Sequence, residues 1–167
     1  MRAAAPYWGS GRTILLAFKF RGADYLARHL AGVLAGRLAP APAADEVTAV
    51  PATARDRRRR DHAAELLGEA VARQLRLPFL AGRLQKVRST KRQSSLPLES
   101  RAENVRGAFR ATRRAPRRIL LVDDIATSGS TARACAGALL RAGAETVDVW
   151  CFARASRDDE LLVGEMP

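Results

Sequence analysis

The sequence predicts an α/β fold with a mainly parallel central sheet flanked by helices. Segments with helical spacing of apolar residues alternate with short strand-like runs. One run, Ile119 to Val122, is four consecutive apolar residues, the pattern of a strand covered on both faces. A length of 167 residues suits a single domain spanning residues 1–167 and buries enough surface to need no metal or disulfide staple.

Taken in order, Arg12 to Phe20 places Ile14, Leu15 and Phe18 at helical spacing, and Gly22 breaks the run. Ala23 to Leu38 repeats Leu26, Leu30, Val33 and Leu34 and is expected to form an amphipathic helix. Ala39 to Ala44, with Pro40 and Pro42, is a short linker. Glu46 to Val50 is a β-branched strand ending at Pro51, and Asp61 to Leu75 returns to helical period. Arg83 to Phe109 is polar, basic and weakly periodic, the least regular stretch of the chain. Thr131 to Ala142 is a helix closed by Gly143, Thr146 to Phe152 a strand, and the residues from Ala153 onward are expected to form a charged tail (154–167).

Composition excludes several classes. No stretch free of charged residues exceeds the nine from Ala3 to Gly11, so a membrane-spanning helix is not expected, nor is a signal peptide. The two cysteines, Cys135 and Cys151, form no CxxC pair and no metal-ligand spacing; they fit reduced core thiols in a cytoplasmic protein. Aromatics make up only 5%, so Leu, Val, Ile and the 33 alanines must fill the core. The formal charge is +12, and 26 of the 29 basic residues are arginine. The guanidinium fork matches phosphate oxygens, so this balance points to phosphate-bearing partners unless it is simply a solvated face.

The residues that carry chemistry follow Val122. In parallel folds ligands bind beyond the carboxyl ends of strands, and there the chain runs Asp123-Asp124-Ile125-Ala126-Thr127-Ser128-Gly129-Ser130-Thr131 into a helix. Two adjacent carboxylates can accept hydrogen bonds from the vicinal diol of a ribose. The loop Ala126, Thr127, Ser128, Gly129, Ser130, Thr131 offers backbone N–H groups at a helix N-terminus, four hydroxyls, and a glycine that lets a phosphate come close. An ordinary strand–turn–helix needs neither the second acid nor four hydroxyls, and the lysine of a Walker loop is absent. Together these groups describe a site for a ribose 5-phosphate.

The segment Ile119 to Thr131 resembles the phosphoribosyl pyrophosphate (PRPP) motif of type I phosphoribosyltransferases. The rest of the chain resembles the ComF family of competence-associated, phosphoribosyltransferase-like proteins. The likeness is carried by Tyr7-Trp8-Gly9, Ala17-Phe18-Lys19-Phe20-Arg21-Gly22, Val50-Pro51, Asp61-His62-Ala63-Ala64-Glu65-Leu66, Gln93-Ser94-Ser95-Leu96, Arg101 and Asn104-Val105-Arg106-Gly107-Ala108-Phe109. Three departures stand out. The cysteine-rich zinc module usual at the start of the family is not present in this sequence. Arg59-Arg60 replace a Gly-Phe pair, and Ala52-Thr53 follow Pro51 where a second proline is expected. Thr127 occupies the position at which 6-oxopurine transferases place an acid/base Asp, which argues against hypoxanthine–guanine salvage.

The resemblance implies a type I phosphoribosyltransferase-like fold in which Asp123 and Asp124 hold the ribose and residues 126–131 hold the 5′-phosphate, with no acid/base assigned. Pro51 and Ala52 would belong to a pyrophosphate loop. Arg58, Lys91, Arg92, Gln93 and Arg101 would contact pyrophosphate or form a basic hood at about residues 80–109. For Arg57 to Arg60 the alternatives are a pyrophosphate or nucleic-acid contact and a solvated helix start. Tyr7, Trp8 and Trp150 are expected at core or edge positions rather than as base-stackers. Mg²⁺ would arrive with PRPP, with no direct protein ligand. Two functions follow: transfer of phosphoribosyl to an acceptor with release of pyrophosphate, or a non-catalytic PRPP-binding protein that handles single-stranded DNA in natural competence. Partners implied are PRPP, single-stranded DNA and a competence helicase or related DNA-uptake protein, with a homodimer as a candidate assembly and no membrane.

Overall fold

The computed structural model describes residues 1–20, 24–52, 62–90 and 98–155. In chain order the elements are β1 (Arg2–Pro6), α1 (Gly9–Phe20), α2 (Leu26–Arg37), β2 (Glu46–Ala49), α3 (Ala63–Leu75), β3 (Leu84–Lys86), α4 (Leu98–Val105), β4 (Phe109–Ala111), β5 (Arg118–Ala126), α5 (Ser130–Arg141) and β6 (Thr146–Arg154). Strands β1, β6, β5 and β2 lie in that order, all parallel, and β3 pairs with β4 in a separate antiparallel ribbon. Pro78 to Leu80 prolong the main sheet beyond β2, since Val47 N–H donates to Pro78 O and Leu80 N–H to Val47 O. The expected α/β architecture with a parallel central sheet is what the chain forms.

Strand alternation divides the core into two layers. Leu120 and Val122 of β5, with Trp150 and Phe152 of β6, face Leu15 and Phe18 of α1, Leu34 of α2 and Leu67 and Val71 of α3. Ile119, Leu121 and Val149 face the other way, onto Cys135 and Leu139 of α5, Val105 of α4, and Leu84 and Phe109 of the ribbon. Strand β5 is therefore covered on both sides, as its unbroken apolar run requires.

Four expectations need correction. First, β1 is a strand that apolar periodicity does not mark, because Ala-Ala-Ala-Pro has little β-propensity; it forms by pairing with β6, with Ala3 opposite Cys151 and Ala5 opposite Ala153. Second, β5 continues past Val122 through both acids to Ala126, because β6 runs equally far and pairs Ile125 with Ala153 and Ala126 with Arg154. Third, Ala153 and Arg154 therefore belong to the sheet rather than to a tail, and the residues after Ala155 lie outside those described.

Fourth, the described part of residues 80–109 is more regular than its weak periodicity suggests. It forms β3, α4 and β4, and Leu84, Val105 and Phe109 are buried against α5. Arg83 is only 4% exposed and binds Glu46 through two nitrogens, with Nε to Oε1 at 2.7 Å. Arg88 donates to the carbonyls of Asn104 and Arg106 at 2.9 and 2.7 Å. Lys91, Arg92 and Gln93, in the connection from β3 to α4, lie outside the described residues, as does Arg57 to Arg60.

Candidate functional site

The site forms where β5 ends. Asp123 and Asp124 lie within the last residues of β5 and are 7% and 5% exposed. Each carboxylate accepts from the next backbone N–H, Asp123 from Asp124 at 3.0 Å and Asp124 from Ile125 at 2.8 Å. Lys19, from the last turn of α1, places its ammonium 2.7 Å from Asp124.

These neighbours separate the two acids. Burial, and next the charge of Asp124, push the Asp123 carboxyl well above the usual carboxylate range. Burial works the same way on Asp124, but the Lys19 ammonium and the hydrogen bonds around it outweigh burial and hold Asp124 below that range. The two carboxyls are thus shifted in opposite directions by their surroundings, and both present oxygens that can accept from the hydroxyls of a diol.

The loop turns immediately after the acids. Gly129 adopts φ 71°, a left-handed conformation that leads into α5, and it supplies no capping side chain, so the first-turn N–H groups of α5 face the loop. Ser128 and Ser130 hydroxyls share a hydrogen bond of 2.9 Å, and Arg133 Nη2 donates to Ser128 O at 2.7 Å. A Cβ at Gly129 would lie 3.0 Å from Met1 Cε and 3.4 Å from an Arg133 nitrogen. Ala126, Gly129 and Ser130 are buried, while Thr127, Ser128 and Thr131 are half-buried. Ser130 N–H donates to Ser128 Oγ at 3.3 Å, and the helix dipole and Arg133 together make this loop attractive to an anion.

Strand β2 ends on the same edge. Val50 N–H donates to Val122 O at 2.9 Å, which sets buried Pro51 and half-buried Ala52 beside the end of β5. Arg101 is 6% exposed within α4. Arg58 lies outside the described residues.

Three residues of the neighbourhood were not singled out from sequence as site residues. Lys19 is the first. Tyr7, which follows β1, is fully buried with its hydroxyl lacking a hydrogen-bond partner, and burial pushes its phenol up, against the opposing charges of Arg12 and Lys19. Arg12 Nε is likewise buried and unpaired. The available signal was one lysine interrupting the apolar period of α1. Of the aromatics expected in the core or at edges, Tyr7 and Trp150 are fully buried and Trp8 is 63% exposed.

A parallel sheet whose central strand carries two adjacent acids near its end and leads into a glycine-turned helix start is the arrangement of a phosphoribosyltransferase-type domain, and sequence comparison agrees. Residues 61–162 match the phosphoribosyl transferase domain, and the chain belongs to that family. Its relatives put it among the ComF-type phosphoribosyltransferase-like proteins. It is 34% identical over 124 residues to DNA utilization protein YhgH of Salmonella typhi, covering 73% of this chain and 55% of that one. It is 35% identical over 102 residues to Competence protein F of Haemophilus influenzae, covering 59% and 44%. The chain thus spans about half the length of the curated relatives it matches. Among solved structures it is similar to the allosteric regulatory enzyme of purine biosynthesis, with 29% identity and a TM-score of 0.51 over 77% of this chain and 25% of that one. Among the described residues no helix is long and apolar enough to cross a membrane.

Proposed function

We propose that the chain binds PRPP as its Mg²⁺ complex. The observation that carries this reading is the continuity of the site: two buried acids run, through the five residues 125–129, into a helix start turned by Gly129. In this reading Asp124 accepts from one ribose hydroxyl, Asp123 exchanges a hydrogen bond with the other, and the loop from Ala126 to Thr131 holds the 5′-phosphate. Mg²⁺ belongs to the substrate, held chiefly by the diphosphate and water. Pro51 and Ala52 border the diphosphate, with Arg58, Lys91, Arg92 and Gln93 as further cationic and polar contacts.

Transfer would proceed by attack of an acceptor on C1′ as the C1′–O bond to pyrophosphate breaks. The protein's part is to hold the ribose and offset the charge that develops on the leaving group. Thr127 offers no carboxylate to serve as acid or base toward a purine acceptor. That observation favours a second reading, PRPP binding without transfer, in the DNA utilization and competence setting for which the relatives are named.

Titrations of Mg-PRPP and of ribose 5-phosphate into wild type and Gly129→Val test the binding reading. The variant places a β-branched side chain at positive φ and against Met1, so both ligands should weaken together. Equal binding by the variant would remove the phosphate assignment. Pyrophosphate release in the presence of free bases separates transfer from binding alone.

A further inference from the structure

A lysine interrupts the apolar inward face of α1. Leu15 is fully buried and Phe18 is buried, and Lys19 follows one turn after Leu15, on the same side of the helix. The start of α1 is seated against the sheet. Tyr7 N–H donates to Arg154 O at 2.9 Å, and a Cβ at Gly11 would lie 2.7 Å from Pro6 O. With α1 fixed in this way, the Lys19 side chain, 14% exposed, reaches β5 and puts its ammonium 2.7 Å from Asp124.

A pair of this kind adds little stability that an apolar pair would not, because desolvation of two charges offsets most of their attraction. What the lysine changes is the state of Asp124. Two buried carboxyls on consecutive residues disfavour each other's ionisation, and the Lys19 ammonium offsets that penalty at Asp124. The other groups around Asp124 do not substitute for it. Burial pushes the Tyr7 phenol up and the Cys151 thiol up to about 12, so neither carries charge near neutrality. Arg12 lies two turns back along α1, beside Tyr7, and Arg154 closes β6 beyond Cys151. From α2 and α3 the layer receives apolar Leu30, Leu34, Leu67 and Val71. His62 and Glu65, at the start of α3, lie 3.7 Å from each other and are partly exposed.

We infer that Lys19 is a positioning residue for the ribose of the ligand: it holds Asp124 charged and aimed as a hydrogen-bond acceptor, and does not itself touch the ligand. The inference rests on the proposed binding of PRPP. A charged acceptor holds a hydroxyl more tightly than a neutral carboxyl does. The affinity of the site is therefore set in part by α1, which lies outside residues 61–162, the stretch that matches the phosphoribosyl transferase domain.

The experiment is calorimetric titration of Mg-PRPP near pH 6.5 and near pH 9. It compares wild type with Lys19→Met, Lys19→Arg, Asp124→Asn and the double variant Lys19→Met/Asp124→Asn. Near pH 6.5, Lys19→Met should bind about tenfold more weakly, and Lys19→Arg should stay within about threefold of wild type. Near pH 9 the deficit of Lys19→Met should shrink, because Asp124 then ionises without help. In the Asp124→Asn background the loss of Lys19 should weaken binding no further, since the group it acts through is gone. Exposed Arg28→Gln on α2, the same change of charge, should bind like wild type. Carbon NMR of the Asp124 carboxyl in the ligand-free proteins should show it ionised near pH 6.5 in wild type and protonated in Lys19→Met. A carboxylate in both, a deficit equal at the two pH values, or additive losses in the double variant would overturn the inference. Failure of wild type to bind Mg-PRPP would overturn the PRPP reading and this inference with it, whereas binding with additive losses overturns the inference alone.

Discussion

The two ends of the central sheet handle charge in opposite ways. At the end where strands begin, acids and arginines are matched: Asp45 with Arg118 at 2.6 Å, Glu145 with Arg117 at 2.7 Å, and Glu46 with Arg83. At the end where strands finish, two adjacent carboxyls share the neighbourhood of one lysine, 2.7 Å from Asp124, and Tyr7 and Arg12 keep buried polar atoms unpaired. The first end is arranged for stability. The second retains polar groups that the fold itself leaves incompletely satisfied, as expected where a ligand completes the pattern.

That contrast can be broken experimentally. The largest loss of stability is expected at the matched end, from Arg83→Met, which leaves half-buried Glu46 without its partner; breaking a buried pair costs ~3–5 kcal/mol. Denaturant unfolding measures it, and a loss no greater than that of a surface charge would contradict the buried-pair reading. Lys19→Met should cost less, because Asp124 can then take up a proton.

The pH dependence of that second loss follows from sign. The Asp124 carboxyl lies below its ordinary range in the folded state, so its contribution is full above that range and is lost as pH falls through the folded value. The difference between wild type and Lys19→Met should therefore be widest near neutrality and narrow in acid. A difference independent of pH would rule out Asp124 as the partner that matters.

Asp123 should behave in the opposite sense. Its folded carboxyl lies above the ordinary range, so wild type loses stability as pH rises from that range to the folded value, and Asp123→Asn does not. Thermal midpoints of the two proteins should diverge with rising pH in favour of the variant. Parallel curves would mean that Asp123 ionises without penalty.

The smallest effect is expected from Arg117→Ala, which removes a solvent-exposed pair and should leave the unfolding midpoint within error.

Much of this arrangement was legible in the sequence. Unbroken apolar character marked the centre of β5, and the acids followed by the small hydroxylic loop marked its chemistry, because both signals are local. The reach of β5 was not legible: whether Asp123 to Ala126 extend the sheet depends on β6 running alongside. For the same reason β1 was missed, since alanines carry no strand signal and only the neighbour supplies the pairing. Lys19 lies more than a hundred residues from Asp124, and no spacing rule joins them. Arg83 appeared among other basic residues as a surface group, and only the position of Glu46 at the start of β2 explains its burial.

The account's central claim is that the strand-finishing end, and not the matched end, receives PRPP. Calorimetric titration of Mg-PRPP into wild type, Asp124→Asn and Asp45→Asn tests it most directly. Losing a hydrogen bond to a charged acceptor costs ~1.5–3 kcal/mol, so Asp124→Asn should bind about 10- to 150-fold more weakly while Asp45→Asn stays close to wild type. Binding that both variants retain in full, or that wild type does not show, would contradict the claim.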